Sequence, residues 1–183
     1  MDPDLHLVLL RGVNVGGRNL LPMAELQRAC LASGALAART YIQSGNALVR
    51  LLPAAQADFA ERLKQRLAAD AGVDSPVVLL TAAELAAVRA FCPFPDAGPR
   101  EVHYALLGAL PSPDRAASLD PDRSPGDRFV VRHRAVHLHL PNGVARTKLT
   151  NVWMDRALGV VSTVRNAATI DALLAMATEG LPA

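Results

Sequence analysis

A glycine-bearing loop near the start of the chain contains the residues best suited to bind an anion. The loop lies between an apolar segment and a segment with helical periodicity, and its candidate ligand-binding residues are Arg11, Gly12, Asn14, Gly16, Gly17 and Arg18. Backbone N–H groups in such loops, and at the first turn of a helix, favour phosphate and other anions. The sequence therefore predicts a site for a small anionic or phosphorylated ligand here.

The glycine spacing does not indicate a nucleotide hydrolase. Gly12 and Gly17 have the separation found in phosphate-cradling loops, but Arg18 and Asn19 stand where the lysine and the magnesium-binding hydroxyl residue would be. The dinucleotide fingerprint fails as well, because it needs glycines at its first, third and sixth positions. A tight connection that uses glycine only for its turns explains the same residues, and this alternative stays open.

Three further polar clusters are candidate contributors to the site. The candidates in these clusters are Gln43, Ser44, Asn46, Lys148, Arg165 and Asn166. The first three belong to a predicted turn, so ordinary turn chemistry is the competing interpretation. Thr150 and Asn166 are better explained as helix caps than as ligands. Lys148 is one of only two lysines among 19 basic residues, which hints at a need for an ammonium group. If the loops converge, Arg11, Arg18, Lys148 and Arg165 would surround one cleft.

The sequence contains little that would indicate a metal or cofactor site. His137 and His139 alternate on one face of a predicted strand, but no carboxylate or cysteine joins them at a suitable spacing. We therefore expect half-exposed strand histidines, no metal and no cofactor. Hydrolase motifs built on a Gly-x-Ser-x-Gly elbow or on His-Glu-x-x-His are also missing from the sequence.

The elements that must position these residues are predicted to form a ferredoxin-like α+β fold. Apolar runs and turn residues predict strands at 6–11, 39–42, 47–51 and 77–80, with helices beginning at Pro22 and at Ala54. The resulting order, strand, helix, strand, strand, helix, strand, is the split βαβ arrangement. We assign residues 1–82 to this first subdomain.

The second half has similar but less regular content, and we assign residues 83–183 to a second α/β subdomain. Strands are predicted at 102–107, 127–132, 135–140 and 160–164, and helices at 81–91 and 151–158. The pattern alone does not decide whether the two halves are a duplication.

Composition bounds the protein class. With 51% hydrophobic residues and a net charge of +2, the 183-residue chain can bury a core, so general disorder is excluded. No apolar run is long enough for a membrane span, and the start Met1-Asp2-Pro3-Asp4 is unlike a signal peptide, so we expect a cytoplasmic protein. Two cysteines are too few for a disulfide framework. The oligomeric state is not determined by the sequence.

Three blocks resemble a known family. The segments LVLLRGVNVGGRNLLPMAEL, RTYIQSGNALV and KLTNVWMDRALGVVSTVRNAATI look like the bacterial family called domain of unknown function 1697, and the resemblance covers nearly the whole chain. The resemblance implies a cytosolic α+β protein whose ferredoxin-like halves pack together. It implies no activity.

Three functional hypotheses remain. The leading one is a cleft for a small anionic ligand, with nucleic acid as a possible source of the phosphate but without base stacking, because the predicted central strands contain no aromatic residue. The second is an acylphosphatase-like hydrolase, by analogy of fold, with Arg18 holding phosphate and Asn46 orienting water. The third is a protein-interaction module anchored by Trp153 and Met154, although a core role suits Trp153 better.

Overall fold

The structure is a computed structural model that describes residues 4–181 of the chain. Residues 1–3, on which the expectation about the signal peptide partly rests, lie outside the described residues. Its elements fall into two units, each described separately. The first contains the described residues up to Ala82 and those from Leu173 onward, and the second contains Ala83–Ala172.

The first unit has the predicted strand and helix order. Its elements are β1 (Asp4–Leu10), α1 (Met23–Ala32), β2 (Ala37–Tyr41), β3 (Asn46–Leu51), α2 (Pro53–Ala71) and β4 (Val77–Thr81). The strands form one antiparallel sheet in the order β2-β3-β1-β4. This is the ferredoxin-like topology that the sequence predicts.

Amphipathic helices cover one face of the first sheet. Phe59, Leu63 and Leu67 of α2 recur every four residues, as helical periodicity requires, and all three are buried. They belong to the same apolar cluster as Val8 and Leu10 of β1. The buried face of β1 ends at Leu10, so the chain leaves the core there and enters the loop with the predicted site.

The second unit repeats this architecture. Its elements are α3 (Ala82–Ala90, in this unit from Ala83), β5 (Val102–Leu107), α4 (Pro113–Ala117), β6 (Arg128–Arg132), β7 (Ala135–His139), α5 (Asn151–Leu158), β8 (Ser162–Asn166) and the start of α6 (Ala167–Glu179). Strand order β6-β7-β5-β8 matches that of the first sheet, and all pairs are antiparallel. The two halves therefore share one topology, with a helix after each fourth strand.

The last residues of the chain fall outside the second unit, although the predicted second subdomain, residues 83–183, includes them. The C-terminal part of α6 and the residues after it belong to the first unit rather than to the second. Arg39 of β2 pairs with Glu179, and Arg50 of β3 donates to the Leu181 carbonyl oxygen at 2.7 Å. These contacts, between residues far apart in sequence, could not be read from the local pattern.

Candidate functional site

Three loops meet at the end of the first sheet where β1 stops. The Leu10 N–H donates to the carbonyl oxygen of Gly45 in the β2–β3 turn, at 2.8 Å. The Arg11 N–H donates to Ser75 Oγ at 3.0 Å, and the Ser75 hydroxyl donates to the Arg11 carbonyl oxygen at 2.8 Å. The β1–α1 loop (residues 11–22), the β2–β3 turn (residues 42–45) and the segment before β4 are thereby tied together.

The side chain of Asn14 holds the β1–α1 loop in one conformation. Its Nδ2 donates to the carbonyl oxygens of Leu21 at 2.9 Å and Gln43 at 2.7 Å, while its Oδ1 accepts the Leu21 N–H at 2.8 Å. Asn19 adds a bond from its Nδ2 to the Gly12 carbonyl oxygen at 3.1 Å. Both asparagines have positive φ, which this residue type tolerates better than most. Two asparagines thus make an irregular loop rigid.

The two adjacent glycines form the tip of a small hairpin. Val15 and Arg18 make an antiparallel bridge, and the Arg18 N–H donates to the Val15 carbonyl oxygen at 3.1 Å. Gly16 and Gly17 both have positive φ, as a type I′ turn needs. Because α1 begins only at Met23, this hairpin is not the phosphate-cradling loop that its glycine spacing imitates.

The hairpin tip is open to solvent. Gly12, Gly16, Gly17 and Arg18 are exposed, and no atom lies within 4 Å of the position that a Cβ would take at any of the three glycines. No hydrogen bond or ion pair among residues 4–181 engages the Arg18 guanidinium. Backbone groups and a cationic side chain are therefore available to a ligand on a loop that is already ordered.

The β2–β3 turn divides the predicted ligands into exposed and buried groups. Gln43 is exposed and Ser44 half-buried, whereas Asn46 is completely buried. Asn46 Nδ2 donates to the Tyr41 carbonyl oxygen at 3.2 Å and to Ser44 Oγ at 2.8 Å. This gives Asn46 a role in shaping the turn, and its burial does not favour contact with an attacking water.

Glycine is required at position 45 of the same turn. A Cβ there would lie 2.6 Å from Val13 Cγ2 and 2.8 Å from Leu10 Cβ, and φ is +73°. The turn packs directly onto the start of the β1–α1 loop as a result. Ile42, the first residue of the turn, has φ +45°, a conformation that β-branched residues rarely adopt.

The three candidates from the second half lie in the second unit. Lys148 is exposed, and its backbone N–H donates to Ser124 Oγ at 3.0 Å. The sequence predicts Arg165 in a polar loop beside a helix start, but it lies within β8, is only 9% exposed and donates to Thr163 Oγ1 at 2.8 Å. Burial lowers the pKa of Arg165 to about 10.

Two predicted helix caps are confirmed. Asn166 Oδ1 accepts the Thr169 N–H at 2.8 Å at the start of α6, and Thr150 Oγ1 accepts the Trp153 N–H at 3.3 Å at the start of α5. These bonds satisfy donors that the first turn of a helix leaves without partners. The side-chain oxygen of Asn166 is therefore used within the fold.

The prediction that His137 and His139 are half-exposed is wrong for His137. That side chain is completely buried, and its ring lies 5.0 Å from Phe91 and 5.4 Å from Tyr104 between ring centres. Neither ring nitrogen has a hydrogen-bond partner among the described residues. The segment after α3, which contains Phe91, covers this face of the second sheet, and strand periodicity alone could not reveal that cover.

His139 binds a carboxylate that the sequence spacing did not indicate. Its Nε2 lies 3.1 Å from Glu101 Oε2, and Arg128 Nε donates to its Nδ1 at 3.3 Å. The bond to His139 lowers the pKa of Glu101, with a further contribution from the Gly98 N–H. Among residues 4–181, no group of three or more His, Cys, Asp or Glu side chains could hold a metal ion.

The residues of the predicted interface anchor lie against the second core. Met154 is completely buried, which corrects the idea that it is available at a surface. Trp153 is half-buried against the same apolar cluster and contacts the ring of Phe129. A packing role accounts for both side chains.

Taken together, the fold and the loop define a class of α+β proteins built from two ferredoxin-like units, the first with an ordered glycine-bearing loop after its first strand. The model of the family described as protein of unknown function (DUF1697) matches residues 4–137, and the chain belongs to this family. No curated protein matches it. Every helix within residues 4–181 is too short or too polar to span a bilayer.

A solved structure has a similar fold. The conserved bacterial protein SP0830 from Streptococcus pneumoniae matches with a TM-score of 0.70 and 20% sequence identity, over 94% of this chain and 98% of that one. At this level of identity, the similarity concerns the fold.

Proposed function

We propose that the protein binds a small anionic or phosphorylated ligand at the β1–α1 loop of its first unit. One observation carries the proposal: the Asn14 side chain makes three hydrogen bonds that fix the loop, while Gly16, Gly17 and Arg18 at its tip stay exposed. Ordering a loop in advance removes part of the entropic cost of binding. Rigid irregular loops with positive-φ residues are also frequent at ligand sites.

The chemistry of the loop suits an anion. Arg18 provides a guanidinium with several N–H donors, and the glycines let a ligand approach the backbone closely. Gln43 from the β2–β3 turn is exposed beside Asn14, because the Asn14 amide donates to its carbonyl oxygen. The proposed site therefore comprises Arg11, Gly12, Asn14, Gly16, Gly17, Arg18, Gln43 and Ser44. A contribution from Lys148 stays a separate prediction.

A small ligand is favoured over the alternatives. β1 and β3 carry no Phe, Tyr or Trp, and His6 of β1 is buried, so the central strands offer no exposed ring for base stacking. The hydrolase hypothesis needs Asn46 to orient a water, and the burial of Asn46 argues against it.

We also propose that the protein is cytoplasmic, since both cysteines, buried Cys30 and exposed Cys92, are unpaired thiols.

Calorimetric titration at low salt tests the proposal. Inorganic phosphate, a nucleoside monophosphate and a short oligonucleotide serve as separate probes, and we expect binding that weakens as salt is added. Replacing Arg18 with alanine should weaken phosphate binding by about tenfold or more, because a hydrogen bond to a charged group is worth about 1.5–3 kcal/mol.

The matched control is Arg100→Ala, since Arg100 is also exposed but lies in the second unit. It should bind phosphate like the unmodified protein. If none of the probes binds, or if both variants lose affinity equally, the proposed function is wrong.

A further inference from the structure

The cationic side chain at the hairpin tip has an apolar neighbour. Val15 and Arg18 are directly opposite each other in the antiparallel bridge, so their side chains lie on the same face, with Cβ atoms about 5 Å apart. Val15 is 65% exposed. An anion that contacts the Arg18 guanidinium would therefore have an apolar surface beside it.

Two more exposed apolar side chains belong to residues that precede the backbone partners of Asn14. Leu20 is 66% exposed and precedes Leu21, whose N–H and carbonyl oxygen both bond to the Asn14 amide. Ile42 is 49% exposed and precedes Gln43, whose carbonyl oxygen accepts from Asn14. Asn14 thus joins the two backbone segments that present Leu20 and Ile42.

The side chains of Val15, Leu20 and Ile42 are exposed to solvent on loops that hydrogen bonds hold together. Ile42 even keeps a positive φ, which is unfavourable for a β-branched residue, while its side chain packs into no core. An inorganic anion would neutralise Arg18 and leave Val15, Leu20 and Ile42 exposed. A ligand with an apolar group next to its anionic group would cover them as well.

We infer that the ligand of this site is an amphipathic organic phosphate, a soluble phosphate ester whose ester group is apolar. The inference rests on the proposed function, because it assumes that the anion binds at Arg18. The phosphate oxygens would accept from Arg18 and the glycine N–H groups, and the ester group would lie against Val15 and Leu20, with Ile42 at the edge of the β2–β3 turn.

The test compares three probes by calorimetry: inorganic phosphate, methyl phosphate and n-octyl phosphate below the concentration at which it forms micelles. We expect octyl phosphate to bind about tenfold tighter than methyl phosphate, since each buried methylene favours binding. Val15→Ser and Leu20→Ser should each reduce this preference and leave the affinity for methyl phosphate unchanged.

Matched controls exist for both substitutions. Val152 is 65% exposed and Leu110 is 67% exposed, and both lie in the second unit. Val152→Ser and Leu110→Ser should keep the full preference for octyl phosphate. A preference that all four variants lose equally would overturn the assignment to this loop.

The failures of the two proposals are distinguishable. If the three probes bind equally and depend on Arg18, the amphipathic ligand is wrong and the anion site stands. If no probe binds, the proposed function itself fails. Vesicles containing phosphatidylglycerol form the last arm: binding to vesicles that needs Val15 and Leu20, without any preference for octyl phosphate, would replace the soluble ester with a lipid surface.

Discussion

Protonation of His137 should destabilise the second unit in mild acid. The imidazole is completely buried against the rings of Phe91 and Tyr104, and its two nitrogens find no hydrogen-bond partner among the described residues. Burial lowers the pKa of His137 from 6.5 to about 4, and positive charge on His133 acts in the same direction. A charged imidazolium is therefore disfavoured in the folded state.

The direction of the pH effect follows from proton binding in the two states. Well above pH 6.5 the histidine is neutral in both the folded and the unfolded chain, so its contribution to stability is complete. Between pH 6.5 and about 4 only the unfolded chain binds the proton, and stability falls. Since a tenfold change in proton affinity corresponds to about 1.4 kcal/mol, the total loss is about 3 kcal/mol by pH 4.

Urea unfolding at pH 7, 6, 5 and 4 measures this loss. Other groups also titrate in this range, so the informative quantity is the difference between the unmodified protein and His137→Phe, which keeps an aromatic ring at the site. Between pH 7 and pH 4, the free energy of unfolding should decrease by about 3 kcal/mol less for His137→Phe than for the unmodified protein. His103→Gln is the control for removing an imidazole from the same sheet.

Parallel pH profiles for the unmodified protein and His137→Phe would refute the reasoning. They would mean that the imidazole is protonated as easily in the folded state as in the unfolded one. In that case a proton acceptor or water must reach the ring, contrary to its burial.

Three other predictions follow from local geometry. Asn14→Ala removes two hydrogen bonds within the β1–α1 loop and one to the β2–β3 turn, so the free energy of unfolding measured in urea should fall by about 2 kcal/mol, and phosphate affinity should fall with it. Gly45→Ala should destabilise more than Gly126→Ala by about 2 kcal/mol in thermal unfolding, because both glycines have positive φ but only at Gly45 would a Cβ meet other atoms; equal losses would contradict this. In the folded protein a thiol reagent should modify exposed Cys92 but not Cys30, whose pKa burial raises to about 12, and modification of both at similar rates would contradict the packing of α1.

Local patterns predicted most of the fold. Gly159 ends α5 and Gly72 ends α2, both in the left-handed conformation that favours glycine at a helix end. His133 and Arg134 form the turn between β6 and β7, which agree with the strands predicted at 127–132 and 135–140. These features depend on residues close together in sequence, and composition and periodicity report them directly.

Features set by distant residues were not predictable. The cover over His137 comes from Phe91, far away in sequence, and the hydrogen-bond partner of His139 Nε2 is Glu101, which precedes β5. β8 begins two residues later than predicted, so Arg165 belongs to a strand instead of a loop. Strand periodicity is short, and a small shift in a boundary changes which side chains are buried.

The candidate site was only partly predictable for the same reason. Residue types identified the β1–α1 loop, but the part that Ser75 and Asn19 play in fixing it depends on hydrogen bonds between segments. A clue to Asn19 was available, because asparagines on both sides of a glycine pair favour left-handed backbone. No comparable pattern marked Ser75.

The most direct test of the anion site is an amide ¹H–¹⁵N titration with inorganic phosphate at low salt, in the unmodified protein and in Arg18→Ala. We predict saturable shifts concentrated at Gly12, Gly16, Gly17, Arg18 and Gln43 in the unmodified protein, and their loss in the variant. Shifts spread over exposed arginines of both units, or identical shifts in the two proteins, would contradict a phosphate site in the β1–α1 loop.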